Sequence, residues 1–178
     1  MVKKIVLLFL LCTPLLLTAQ QMWRSVAEPT QVTYRNAEKP TQYKTYQFDT
    51  ERILQHLAKA PQHTDQRSVE GIRLSLPLPD GTAQDFELYE APVMMPGLSA
   101  KYPEIRSYKG VSENSDVRIS ATPQGLHLIY NTPNGRAYVI PYAKENNDYA
   151  LGYYKRHAPQ VDEGFVCGVD GEFVERQS

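Results

Sequence analysis

Short apolar–polar runs separated by turn-forming groups constrain this chain more than any other feature of its sequence. Gln84 to Glu90 carries Phe86, Leu88 and Tyr89 as its apolar members. Val117, Ile119 and Ala121 alternate with polar residues, and so do Leu126, Leu128 and Tyr130. Between such runs stand Pro79-Asp80-Gly81, Thr122-Pro123-Gln124-Gly125 and Asn131-Thr132-Pro133-Asn134-Gly135. In each group proline fixes φ and glycine accepts a positive φ, so the chain reverses there. Val69 to Leu76, Ile105 to Gly110, Ala137 to Tyr142 and Tyr149 to Tyr154 read as further strands. Tyrosine, at 12 copies, outnumbers the 5 Phe and 1 Trp, and proline at 13 outnumbers glycine at 10, as a chain of short strands requires.

One stretch departs from this rhythm. Asp49 or Thr50 reads as a helix N-cap, with Glu51 in the first turn and Ile53, Leu54 and Leu57 at helical spacing before Pro61. Leu98 to Tyr102 predicts a single helical turn before Pro103. The expected fold is mainly β (α+β): an antiparallel β-sandwich or half-open barrel with one amphipathic helix. Residues 48–160 are expected to form the β-rich domain. Residues 20–47 precede it as an extended, Tyr-rich lead-in in which Trp23 anchors to the domain.

The N-terminus reads as a secretory signal peptide over residues 1–19: Lys3 and Lys4, an apolar run from Ile5 to Leu17, then Thr18-Ala19. The run is shorter than the ~18–20 apolar residues that a membrane span needs. Bulky Leu11 before Cys12 fits a lipoprotein signal poorly. Cleavage after Ala19 would leave about 159 residues and a chain in which acidic residues outnumber basic ones by three. The product is expected to be secreted, periplasmic or on the outer surface. A near-neutral balance gives no electrostatic case for nucleic acid, nor for a membrane once the signal is removed.

Cleavage would also remove Cys12 and leave Cys167 as the sole cysteine. In an oxidising compartment a lone cysteine has an intermolecular partner, a reactive thiol or a metal to bind, or is simply a small buried apolar residue. It stands in Gly164-Phe165-Val166-Cys167-Gly168-Val169-Asp170-Gly171, where flanking glycines let the backbone approach another surface. Zinc takes thiolate readily, and a thiolate in the open position of a catalytic zinc would close that site. A disulfide with a partner or with a downstream segment is the alternative.

No other pattern carries catalytic chemistry. His56, His63, His127 and His157 lack metalloprotease spacing and are expected as surface or half-buried structural residues. No Gly-x-Ser-x-Gly elbow, P-loop or dinucleotide fingerprint occurs. The acid pairs Asp85/Glu87 and Asp162-Glu163 have no feature marking them as an acid–base couple. The chain is expected not to be an enzyme and to hold no cofactor of its own.

Cys167-Gly168-Val169 resembles the core of the cysteine switch in prodomains of ADAM/reprolysin metalloproteases, whose pattern is Pro-Lys-Met-Cys-Gly-Val. The Pro-Lys-Met part is replaced here by Phe165 and Val166. More broadly, the mature chain resembles the N-terminal prodomain of secreted reprolysin-like, metzincin-type zinc metalloproteases of Bacteroidota-type bacteria. The resemblance runs through Tyr46 to Asp49, Leu54 to Pro61, Leu74 to Pro77 with Asp80-Gly81, and Phe86 to Met94. It continues through Thr122 to His127, Ile140 to Tyr142 and Phe165 to Glu172, and its most specific block is Leu98 to Tyr108.

The resemblance implies a propeptide that keeps a zinc metalloprotease catalytic domain latent, as an inhibitor within the zymogen, and assists its folding. Cys167 would be the switch ligand to that partner's zinc, with Phe165, Gly168 and Val169 as segment contacts. Residues 161–178 would lead to the catalytic domain, in cis if this chain is a fragment and in trans if it is free-standing. Two other readings remain open from the residues themselves: a non-enzymatic secreted or cell-surface binding module, such as a glycan-binding β-domain, and a small secreted hydrolase.

Overall fold

The computed structural model describes residues 21–63, 69–144 and 146–159. The expected signal peptide and the cysteine-bearing segment 161–178 lie outside them. Nine strands form one antiparallel sheet: β1 Trp23–Val26, β2 Lys44–Phe48, β3 Ile72–Pro77, β4 Ala83–Glu90, β5 Arg106–Val111, β6 Asp116–Thr122, β7 Gly125–Thr132, β8 Gly135–Pro141 and β9 Tyr149–Tyr154. Their spatial order is β1-β2-β9-β8-β7-β6-β5-β4-β3. The sheet curls into a half-barrel, the second of the two expected architectures. Helix α1 covers Thr50–Leu57, short helix α2 covers Pro96–Lys101, and a 3-10 turn follows β9 at Lys155–His157.

From β3 to β9 every strand pairs with its sequence neighbour, as the turn groups predict. Two hairpins use the same device. Thr122 and Thr132 close their turns with the hydroxyl donating to the carbonyl of Gly125 (3.1 Å) and Gly135 (2.8 Å). The same hydroxyls accept from the amides of Gln124 and Asn134. Gly125 and Gly135 take φ of +114° and +101°, which a side chain would strain.

The N-terminal segment differs from a mere lead-in. β2 lies between β1 and β9, with Thr45 opposite Leu151 and Tyr46 opposite Ala150, so the sheet begins before residue 48. Trp23 is buried, and its indole Nε1 donates to Ser75 O of β3 at 2.8 Å. That bond links the first and last strands of the sheet across the open side of the half-barrel. Helix α1 packs into the same opening. Asp49 caps it by accepting from the Arg52 amide, Ile53 and Leu57 enter the core, and His56 Nε2 donates to Arg73 O of β3 at 2.9 Å.

The concave face holds the main core, whose largest buried side chains include Tyr46, Tyr108, Tyr130 and Phe86. A buried tyrosine needs a partner for its hydroxyl. Here three of them converge on the β3–β4 turn. Tyr130 donates to Pro77 O at 3.0 Å, Tyr46 to Leu78 O at 2.5 Å, and Tyr154 to Asp80 Oδ2 at 3.3 Å. Strands β2, β7 and β9 thereby fasten the far hairpin over the end of the barrel. Burial holds the Tyr130 hydroxyl well above its ordinary pKa, so it stays a donor.

Candidate functional site

Two surfaces outside the main core stand out. The first is the β4–β5 connection. Proline at its first turn starts α2 after Met95, whose carbonyl accepts from the amides of Leu98 and Ser99. None of the residues of α2 is buried. Val93 is 76% exposed, Met95 79% and Leu98 48%, and Tyr102 is also exposed. The connection is nevertheless fixed at both ends. Arg106 donates through Nε and Nη2 to Glu90 Oε1 at 2.9 and 2.7 Å, and the Ala91 amide donates to Ser107 O at 2.9 Å. A cleft of about 330 Å³ lies between the connection and the start of β5, lined by Pro92, Val93, Met94, Ser99 and Ile105 among others. The result is a run of exposed apolar side chains, an apolar strip along the sequence, on a connection tied down at both ends.

The second surface is the convex side of β8 and β9, crossed by the strap of residues 27–43. Val32, Tyr34 and Tyr43 of the strap pack on a small separate core of Tyr142, Ala143 and Leu151. Glu28 accepts from the Lys39 ammonium, from Tyr142 Oη at 2.6 Å and from Tyr43 Oη at 2.7 Å. Those hydrogen bonds, led by that from Lys39, hold its carboxyl down at about 2. Lys39 Nζ also lies 5.9 Å from the Tyr34 ring centre and 5.7 Å from that of Tyr142. The Arg35 amide donates to Tyr142 O at 2.9 Å, and its guanidinium Nη1 is shielded from water without a hydrogen-bond partner. Half-buried His127, on the same convex face, has its pKa lowered by burial and then by the charge of Arg35.

Cys167, Phe165, Gly168 and Val169 lie outside the described residues. The four histidines are dispersed. His56 serves α1, and His63 packs edge-on to Tyr89 at 5.7 Å. His127 lies on the convex face of β7, opposite in direction to Leu126 and Leu128, as the alternation predicts. His157 closes the 3-10 turn and accepts from Arg156 Nε. Among the described residues no group of three or more His, Cys, Asp or Glu has the geometry to hold a metal. Of the acid pair on β4, Asp85 is exposed, while Glu87 accepts from the Gly71 amide and Tyr89 Oη, both at 2.8 Å. The hydrogen bonds that hold the strap to the sheet have no sequence signature: Glu28 and Tyr142 are 114 residues apart, and the Arg35 amide donates to that same residue just past the end of β8.

Comparison of the chain with protein-family models, with curated proteins and with solved structures returned no match.

Proposed function

We propose that this is a non-catalytic, secreted prodomain-like protein that holds a zinc metalloprotease catalytic domain latent. The observation that carries the reading is the strip Val93, Met95 and Leu98. Contiguous apolar side chains on the surface of a folded domain mark a partner site. This strip lies in and beside the block of sequence with the most specific resemblance to such prodomains. The partner is the catalytic domain, and the chain needs no metal of its own. Cys167, eight residues after Pro159, supplies a thiolate to the partner's zinc at the position of the attacking water. A single thiolate does not hold zinc alone, so the ion belongs to the partner. No helix among the described residues is long and apolar enough to cross a membrane.

The test mixes the full chain with the catalytic domain of a secreted reprolysin-like metalloprotease and follows cleavage of a peptide substrate. Wild type should inhibit, Cys167→Ala should inhibit more weakly, and Met95→Glu with Leu98→Glu should lose binding while keeping the fold. Equal inhibition by wild type and Cys167→Ala removes the switch. Absence of binding by every form removes the inhibitory role.

A second reading, a cell-surface or secreted binding module, draws on the convex face. Tyr138 and Tyr153 stand side by side there, half-buried, with ring centres 5.4 Å apart. Such a module would bind its ligand without any contribution from Cys167.

A further inference from the structure

We propose that the convex face of β5 to β9 binds a carboxylated polysaccharide laid across the strands. The inference develops the binding-module reading of this face and rests on it; it uses neither Cys167 nor the apolar strip.

The strand register lines up one row of side chains across that face. Lys109 of β5 stands opposite Arg118 of β6, and Arg118 opposite Ile129 of β7. Ile129 stands opposite Tyr138 of β8, and Tyr138 opposite Tyr153 of β9. Neighbouring strands lie about 4.8 Å apart, so the row runs for about 19 Å. Its first two members are like charges directly opposite each other, an arrangement that destabilises a strand pair. Among the described residues neither cation has a hydrogen bond or an ion pair. The two carboxylates of the adjoining row serve other groups. Asp116 accepts from Asn131 Nδ2 at 2.9 Å, and Glu87 accepts from the Gly71 amide and Tyr89 Oη. Arg118 is exposed and Lys109 half-buried, so an external anion can reach both.

A carboxylate complements this pair: the planar fork of Arg118 suits it, and Lys109 adds a second charge. The rest of the row selects what carries the carboxylate. Ile129 is 42% exposed, and the half-buried rings of Tyr138 and Tyr153 stand 5.4 Å apart at 31° to each other. Together they make an apolar platform with hydroxyl edges, suited to the flat C–H faces of sugar rings. Ser120 and His127, opposite each other in the row beyond, bring polar groups for ligand hydroxyls. An extended peptide needs partners for its own amides and carbonyls, and β5 to β9 each already have a strand on both sides. A nucleic acid carries a phosphate at every unit, whereas this row offers two cations with Glu87 and Asp116 alongside. A polysaccharide with one carboxylate per sugar ring meets neither obstacle.

The experiment titrates the full chain, by calorimetry and by amide NMR, with hexagalacturonate, its methyl ester and a hexaglutamate peptide. The ester keeps the sugar rings without the charge, and the peptide keeps the charge without the rings. Hexagalacturonate should bind at least about tenfold more tightly than either. Amide shifts should centre on Lys109, Arg118, Ile129 and Tyr138. Arg118→Gln and Tyr138→Ala should each weaken it by about fivefold or more, and Arg73→Gln on β3 should not. Thermal unfolding checks each variant. If Tyr138→Ala does not fold, Arg118→Gln at its exposed position decides. Equal binding of the ester overturns this proposal and leaves the binding-module reading standing. Equal binding of the peptide overturns it as well, as does an unchanged affinity in folded Arg118→Gln. Binding of none of the three removes both the proposal and the glycan-binding form of the reading it rests on.

Discussion

Removing one oxygen atom from the barrel interior should measurably loosen the β3–β4 hairpin. Tyr130 is fully buried, and its hydroxyl donates to Pro77 O at 3.0 Å. Tyr130→Phe keeps the ring and its packing on Phe86, 5.8 Å away between centres, so little cavity forms. What is lost is the hydrogen bond, and Pro77 O is left without that donor where water does not reach. A net hydrogen bond is worth about 0.5–1.5 kcal/mol, and a buried group stranded without one raises the cost to about 1–3 kcal/mol. Tyr46→Phe provides the internal comparison. Its acceptor, Leu78 O, also accepts from the Gly81 amide at 2.9 Å, so the carbonyl stays paired. Its cost should stay near the lower figure, about 0.5–1.5 kcal/mol. The double variant should depart from additivity, because both hydroxyls hold one turn. Urea unfolding followed by the fluorescence of Trp23, which packs edge-on against Tyr46 at 5.6 Å, gives each value at constant m. A Tyr130→Phe protein within about 0.3 kcal/mol of wild type, or a larger loss from Tyr46→Phe, would refute the account of the turn as pinned by buried hydroxyls.

Gly135→Ala meets no atom within 4 Å but sits at a φ of +101°, so it isolates backbone strain and should cost about 1–2 kcal/mol in the same assay. Gly152→Ala tests packing instead: a Cβ there would stand 2.9 Å from Tyr46 Cε2, and overpacking against a buried ring should cost about 1–3 kcal/mol. Glu28 titrates at about 2 in the folded chain against an ordinary 4.5, so its contribution is present above pH 4.5 and is lost as pH falls towards 2. Glu28→Gln should therefore flatten the stability–pH curve in that window, measured by denaturation at stepped pH. His127 is held below its ordinary 6.5 by burial first and Arg35 second, so stability falls as pH drops below about 6.5 and the unfolded chain takes up the proton first. Arg35→Gln should raise the His127 midpoint, read by proton NMR of the imidazole.

Local chemistry was legible in the sequence. The turns at Gly81, Gly125 and Gly135, the cap at Asp49 and the alternation through β6 and β7 all follow from residues a few positions apart. Non-local pairing was not. Residues 20–47 read as a polar, extended lead-in because Lys44 and Gln47 interrupt any apolar signal. Pairing makes strands of parts of this segment: β2 lies between β1 and the distant β9, with Leu151 opposite Thr45. Trp23 could be expected to anchor, but its acceptor on β3 lies 52 residues away and leaves no local trace. The strap over β8 and β9 was silent for the same reason: Glu28 and Tyr142 are 114 residues apart.

The strand order also sets a sequence of events in time. Strands β3 to β9 form a run of neighbouring antiparallel pairs, joined by short loops except for the α2-bearing connection between β4 and β5. β2 must wait for β9, since Lys44 to Gln47 pair with Tyr149 to Gly152, and loops of that length close late. A chain that emerges N-terminus first therefore carries its opening strands, β1 and β2, with no partner but each other until nearly all of the barrel has emerged. The single tryptophan sits on the strand that docks at the end. Its fluorescence in refolding should follow a slower phase than hairpin formation does, and so time the closing of the seam.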